Sequence, residues 1–177
     1  MNKQAAQKLV AAYQGCFSSW AQGEGEADVL PPCEDVHVSS SGRVILPAHL
    51  DQLEVVNGII ARQLEERACP MPVQMQLDVA VEEMFVNVCH YAYAALGKPG
   101  DCVVSYLCTD DPCAIAIALV DSGAPFDPLT RKDPTKPTSI QEAKIGGLGI
   151  FMTKKSVDDI SYQRVNDKNF LVFAKGW

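Results

Sequence analysis

The sequence predicts an α+β fold, an α/β sandwich whose mixed, mostly antiparallel sheet of about four or five strands carries helices on one face. Three observations predict it. Helical periodicity is concentrated early in the chain and β-prone runs come mostly late. Apolar runs from Cys102 to Cys108 and from Cys113 to Val120, separated by Thr109-Asp110-Asp111-Pro112, read as an antiparallel hairpin. A chain of 177 residues, 47% hydrophobic and 21% charged, holds one domain with a full core and excludes disordered and low-complexity classes.

Each element follows from local pattern. Ala5, Leu9, Ala12, Tyr13, Cys16 and Trp20 recur at helical spacing and predict an amphipathic helix over roughly the first twenty positions. It is expected to pack on the domain or on a second subunit through Tyr13, Phe17 and Trp20, which leaves a homodimer open. Ala21 to Pro32, with Gly23, Gly25, Pro31 and Pro32 among acidic residues, reads as a linker, so residues 1–35 form a helix and linker and residues 36–177 the main domain. Arg43 to Leu46 predicts a short strand ended by Pro47, and Leu53, Val56, Ile59, Ile60 and Leu64 place a helix over about Leu50 to Arg67. Pro70 and Pro72 punctuate before a second, largely buried helix marked by Leu77, Ala80, Val81, Met84, Phe85, Val88 and Ala92 and stopped by Gly97, Pro99 and Gly100. After the hairpin, Asp121 to Gly147 lacks periodicity and forms a loop far longer than the median of about 4 to 6 residues. A helix from Gly149 to Val157 and two strands, Ile160 to Val165 and Phe170 to Ala174, close the chain around the turn residues Asn166, Asp167 and Lys168.

Composition narrows function. The formal charge is −7, with Lys and Arg scattered, so neither nucleic acid nor an anionic membrane is an expected partner. No apolar run reaches the roughly 20 residues of a membrane helix, and the first residues do not read as a signal peptide. Seven cysteines without C-x-x-C spacing fit a cytoplasmic protein and argue against a zinc site.

Three clusters carry chemistry. Glu83 and Asn87, four apart on the second helix, point the same way; they read either as the solvent edge of that helix or as a base and an oxygen ligand for Mg²⁺. Asp121-Ser-Gly123-Ala-Pro-Phe126-Asp127 leaves a buried strand, as a plain turn or as a carboxylate placed to accept from an exocyclic amine such as that of adenine. Gly146-Gly147-Leu148-Gly149-Ile150 precedes a helix, as a hinge or as a backbone cradle for phosphate, and matches neither a Walker A loop nor the dinucleotide fingerprint.

Together and in this order, the clusters resemble a known family. Glu83-Met-Phe-Val-Asn87-Val-Cys-His-Tyr91-Ala-Tyr93 is similar to the N box, the Asp121 cluster to the G1 box, and Gly146-Gly-Leu-Gly149-Ile-Phe-Met to the G2 box of the GHKL (Bergerat) ATP-binding superfamily. The forms D-x-G-x-x-F-D and G-G-L-G-I-F resemble its serine-kinase and anti-sigma-factor branch. Many members of that branch carry His where this chain has Tyr91. The resemblance spans roughly Val36 to Lys175 and implies ATP lying between the helices and a lid formed by Asp127 to Lys144. It implies Glu83 as general base, Asn87 as Mg²⁺ ligand and Asp121 as partner of the adenine amine. Gly123, Phe126, Leu148 and Ile150 would complete the ATP site, with Gly146, Gly147 and Gly149 around the phosphates. The expected activity is Mg-ATP-dependent phosphorylation of a STAS-type anti-sigma-factor antagonist, with a sigma factor as a second partner; the alternative is a non-catalytic ATP-gated binding switch. With only His37 before Arg43 and no room for a helical dimerisation hairpin, a complete sensor histidine kinase is not expected.

Overall fold

A computed structural model describes residues 2–22, 36–130 and 148–177. Helix α1 (Asn2–Gln22) leads to strand β1 (Ser40–Pro47), a 3-10 turn (Leu50–Gln52), α2 (Leu53–Glu66) and α3 (Met71–Asn87). A π-helical turn (Val88–Ala92) and a 3-10 turn (Ala94–Leu96) precede β2 (Asp101–Asp110) and β3 (Cys113–Asp121). After a 3-10 turn (Pro128–Thr130) come α4 (Leu148–Ser156), β4 (Asp159–Val165) and β5 (Lys168–Gly176). The linker residues 23–32 and Cys33 lie outside the described residues.

The five strands form one sheet in the order β1-β2-β3-β5-β4, and every adjacent pair is antiparallel. Strand β3 is central, paired on both edges, and the chain passes from β3 through α4 to β4 before β5 inserts between them. The β4–β5 hairpin turns on Asn166 and Asp167, both at positive φ, a pair of residue types that tolerates the left-handed conformation such a tight turn needs.

Side-chain alternation explains the layers. In β3, Ile115, Ile117 and Leu119 point to one face and Ala114, Ala116, Ala118 and Val120 to the other. The large side chains meet Val56, Ile60 and Leu64 of α2, Leu77, Val81, Met84 and Phe85 of α3, and Ile150 of α4 in the main core. Helices α2, α3 and α4 therefore occupy one face, as the periodicity predicts. Helix α1, whose resting place the sequence leaves open, covers the opposite face. Its Leu9, Val10, Tyr13 and Phe17 are buried against the alanines of β3 and Phe170, Val172 and Ala174 of β5. The alanines let the helix lie close to the sheet, and each large side chain buried there stabilises the layer by about 1.5–3 kcal/mol. Tyr13 Oη donates to Ser105 Oγ at 3.2 Å and Gln14 Nε2 to Ser161 Oγ at 2.6 Å, tying α1 to β2 and β4. Of the three expected aromatic contacts, Tyr13 and Phe17 make them; the side chain of Trp20 lies outside the described residues.

Two boundaries differ from the periodicity. Helix α3 starts at Met71, because Pro72 sits in its first turn, where a missing N–H costs nothing. It stops as an α-helix at Asn87, and the chain continues into the wider π turn.

Phe17 is fully buried with its ring 4.6 Å from that of Phe170. Phe17→Ala is expected to lower unfolding free energy by about 3–5 kcal/mol, read by urea denaturation.

Candidate functional site

On α3 the core-facing positions alternate with a polar flank that carries Glu83 and Asn87, both half-buried. Asn87 Nδ2 donates to the Glu83 carbonyl at 2.6 Å, which fixes the amide and leaves Oδ1 as an acceptor. The Glu83 carboxylate lies against Gly149 in the first turn of α4, where a Cβ would collide with it, and forms no ion pair among the described residues. A carboxylate beside a helix N-terminus sits in a favourable field.

The π turn joins α3 to the exit of β3. By adding one residue to the helical turn it swings the Ala92 carbonyl outward, where it accepts from Ala124 N–H at 2.7 Å. Gly123 packs on the same carbonyl so closely that any side chain would clash. Tyr91, exposed on this turn, stacks on Phe126 with centroids 6.3 Å apart and an interplanar angle of 29°. Tyr93 Oη donates to the Asp101 carbonyl at 2.5 Å and accepts from Ser122 N–H at 3.1 Å, bracing the strand exit from the other side. His90 is exposed and lies edge-on to Tyr91.

Asp121 is 7% exposed at the end of β3. Its Oδ1 accepts from Gly123 N–H and from Asn169 Nδ2, both at 2.8 Å; among the described residues no bond is made to Oδ2. Asn169 also donates to the Ala124 carbonyl at 2.9 Å and accepts at Oδ1 from Tyr162 Oη and Arg164, each at 2.8 Å. Arg164 reaches on to the Gly123 carbonyl at 3.1 Å. Burial pushes the Asp121 carboxyl above its ordinary 3.8, against the Asn169 and Gly123 bonds and the Arg164 charge that pull it down. Because folding raises this pKa, its contribution to stability is complete below about 3.8 and is lost as pH rises through the folded-state value. At neutral pH the fold therefore carries a buried anion at a cost.

Asn87, Asp121, Phe126, Tyr162 and Asn169 line one narrow cleft floored by Met84 and Leu171. The structure thus places Asn87, Asp121 and Phe126 around one cleft, with Gly123 against Ala92 and Glu83 against Gly149, while Ile150 is buried in the main core. Gly146, Gly147, the side chain of Leu148 and the lid segment from Arg131 to Lys144 lie outside the described residues. The sequence reading missed Asn169, Arg164 and Tyr162; their only local signal is polarity within apolar strands. Burial holds the nearby Cys89 thiol up at about 11 and raises Cys102 as well, so neither is a thiolate at neutral pH.

A family model described as the histidine kinase-like ATPase domain matches residues 46–175, most of the chain and all of the site just described. The chain belongs to this family. No curated protein matches it closely enough to count as a relative. The ATPase domain is of the GHKL type, an ATP-binding fold usually loaded with Mg²⁺. The residues present fit that ligand. Asp121 Oδ2 has no internal donor among the described residues, and Asn87 Oδ1 is left as an acceptor beside it in the cleft. Among the described residues no three His, Cys, Asp or Glu side chains gather as a metal cage. Mg²⁺ held by one side-chain oxygen and substrate phosphates needs none. No helix among the described residues is long and apolar enough to cross a membrane.

Gly149→Ala is expected to destabilise the wild-type protein because its Cβ displaces the Glu83 carboxylate. In a Glu83→Ala background the same change should stabilise by up to about 1 kcal/mol, the ordinary helical preference for alanine, in thermal unfolding of all four variants.

Proposed function

We propose that the protein is a cytoplasmic, Mg-ATP-dependent protein-serine kinase that regulates transcription by phosphorylating a STAS-type anti-sigma-factor antagonist, and that it also binds a sigma factor. One observation carries the proposal: Glu83, half-buried beside α4 with no ion pair among the described residues, shares a helix flank with Asn87 four residues on. A nucleotide-gated switch has no use for an uncommitted carboxylate at that position. The motif forms D-x-G-x-x-F-D and G-G-L-G-I-F support the branch.

The chain's residues divide the work. Asp121 Oδ2 accepts from the adenine amine, while Gly123 lets the backbone lie flat against the base. Asn87 Oδ1 holds Mg²⁺. Glu83 takes the proton from the incoming serine hydroxyl, a positional task rather than covalent catalysis. Bound Mg-ATP supplies the phosphoryl group and neutralises its charge.

Incubation of the protein with Mg-ATP and a STAS-domain protein from the same genome is expected to yield phosphoserine by mass spectrometry, and Glu83→Gln to abolish it while ATP still binds. Transfer retained in Glu83→Gln would remove the assigned base. ATP-dependent complex formation with no phosphoserine in either protein would establish the non-catalytic switch instead.

Asp121 adds a pH signature. Protonation turns its acceptor oxygen into a donor, so ATP affinity should fall as pH drops from neutral toward the carboxyl's raised pKa, and fall before the fold itself is lost. Calorimetric titration from pH 7.5 down to about 5 reads this directly.

A further inference from the structure

A cavity of about 360 Å³ lies on the α1 face of the sheet, beside the end of β3. Its floor follows from strand phase. Val103, Val120 and Phe170 share a face with Ala116, Ala118 and Val172, which α1 covers, and strand register sets Ile45, Val103, Val120 and Phe170 in one row across four strands. Phe17 of α1 covers the Phe170 end of that row. Farther along the row, Ile45 is 59% exposed. The floor is thus an apolar strip that α1 covers only in part.

The rim is cationic. Arg43, Lys98 and Lys168 line the cavity together with two acidic residues, Asp101 and Asp121, and the Asp121 carboxylate is bonded to Asn169. Basic residues outnumber acidic ones three to two here, in a chain whose net charge is −7. Among the described residues neither Lys98 nor Lys168 forms an ion pair, whereas Lys175, Arg164, Arg67 and Arg62 each do. The Tyr93 side chain, bonded to the Asp101 carbonyl and Ser122 N–H, forms a wall. Concave apolar surface with a few convergent polar groups, at this volume, is the make-up of a small-molecule pocket.

The geometry points to a second ligand site here, for a small organic anion: an apolar body against Val103 and Val120, and a carboxylate, sulfonate or phosphate held by Lys98 and Lys168. Its floor of Val103, Val120 and Phe170 faces the opposite side of the sheet from Met84 and Leu171 of the nucleotide cleft, and Asp121 at the strand end borders both. Tyr93 accepts from the N–H of Ser122, the residue after Asp121.

The probe is 8-anilinonaphthalene-1-sulfonate, an anion with a flat apolar body, titrated by fluorescence into the full chain with and without saturating Mg-ATP. Binding at one site per chain that Mg-ATP does not displace is expected. Lys98→Glu with Lys168→Glu should weaken it at least about tenfold, while Lys3→Glu on α1 changes it less than about twofold. Far-UV circular dichroism establishes that the double variant folds, and Lys168→Met alone, expected to show an intermediate loss, tests the same contact without charge reversal. Displacement of the probe by Mg-ATP would assign it to the nucleotide cleft and overturn the proposal. So would equal loss in Lys3→Glu, or binding that appears only when residues 23–35 with Glu24, Glu26 and Asp28 are deleted.

Discussion

The carboxamide of Asn169 uses its full hydrogen-bonding capacity, and the site depends on it. Two donated bonds hold Asp121 and the Ala124 carbonyl; two accepted bonds take Tyr162 and Arg164. Register makes this possible, because Asn169 stands opposite Asp121 in the β3–β5 pair and opposite Arg164 in the β4–β5 pair. Without the amide, a carboxylate buried at a strand end would have only the Gly123 N–H and the Arg164 field to offset its desolvation. With it, Oδ1 is occupied and Oδ2 is left without a donor among the described residues.

The same sheet works on two faces. Strand β3 carries bulky aliphatic side chains toward α2 and α3 and alanines toward α1, so its ends are held rigidly from both sides. Rigid strands put Asp121 at a defined height above the core. The π turn then aligns the end of α3 with that height through one bond, Ala92 carbonyl to Ala124 N–H, and Gly123 allows the approach. Asn87 and Glu83, about one and two turns back along the helix, inherit their position from this junction.

Much of this is legible locally. Glu83, Asn87, Asp121, Gly123, Phe126 and Gly149 stand out because each lies within a short motif at a break between elements, and the helix and hairpin assignments follow from periodicity alone. What is not legible depends on distance along the chain. Asn169 lies 48 residues from Asp121, and nothing near it announces a carboxylate opposite. The unbroken apolar run Cys113 to Val120 did carry a sign that both faces of β3 are covered, since a strand with one wet face alternates. Its partner, the N-terminal helix, is too far away in sequence for the periodicity to pair them. A π turn also escapes a pattern counted at 3.6 residues, because one inserted residue shifts the phase without breaking the apolar run.

In the proposed kinase, Asp121, held by Asn169, reads the amino group of adenine. The direct measurement compares dissociation constants for ATP and for inosine triphosphate, which differs by a carbonyl in place of that amine. Binding of inosine triphosphate is expected to be weaker by at least about tenfold, because its oxygen meets the unpaired Oδ2 of a buried carboxylate. Equal affinity for the two nucleotides would contradict it.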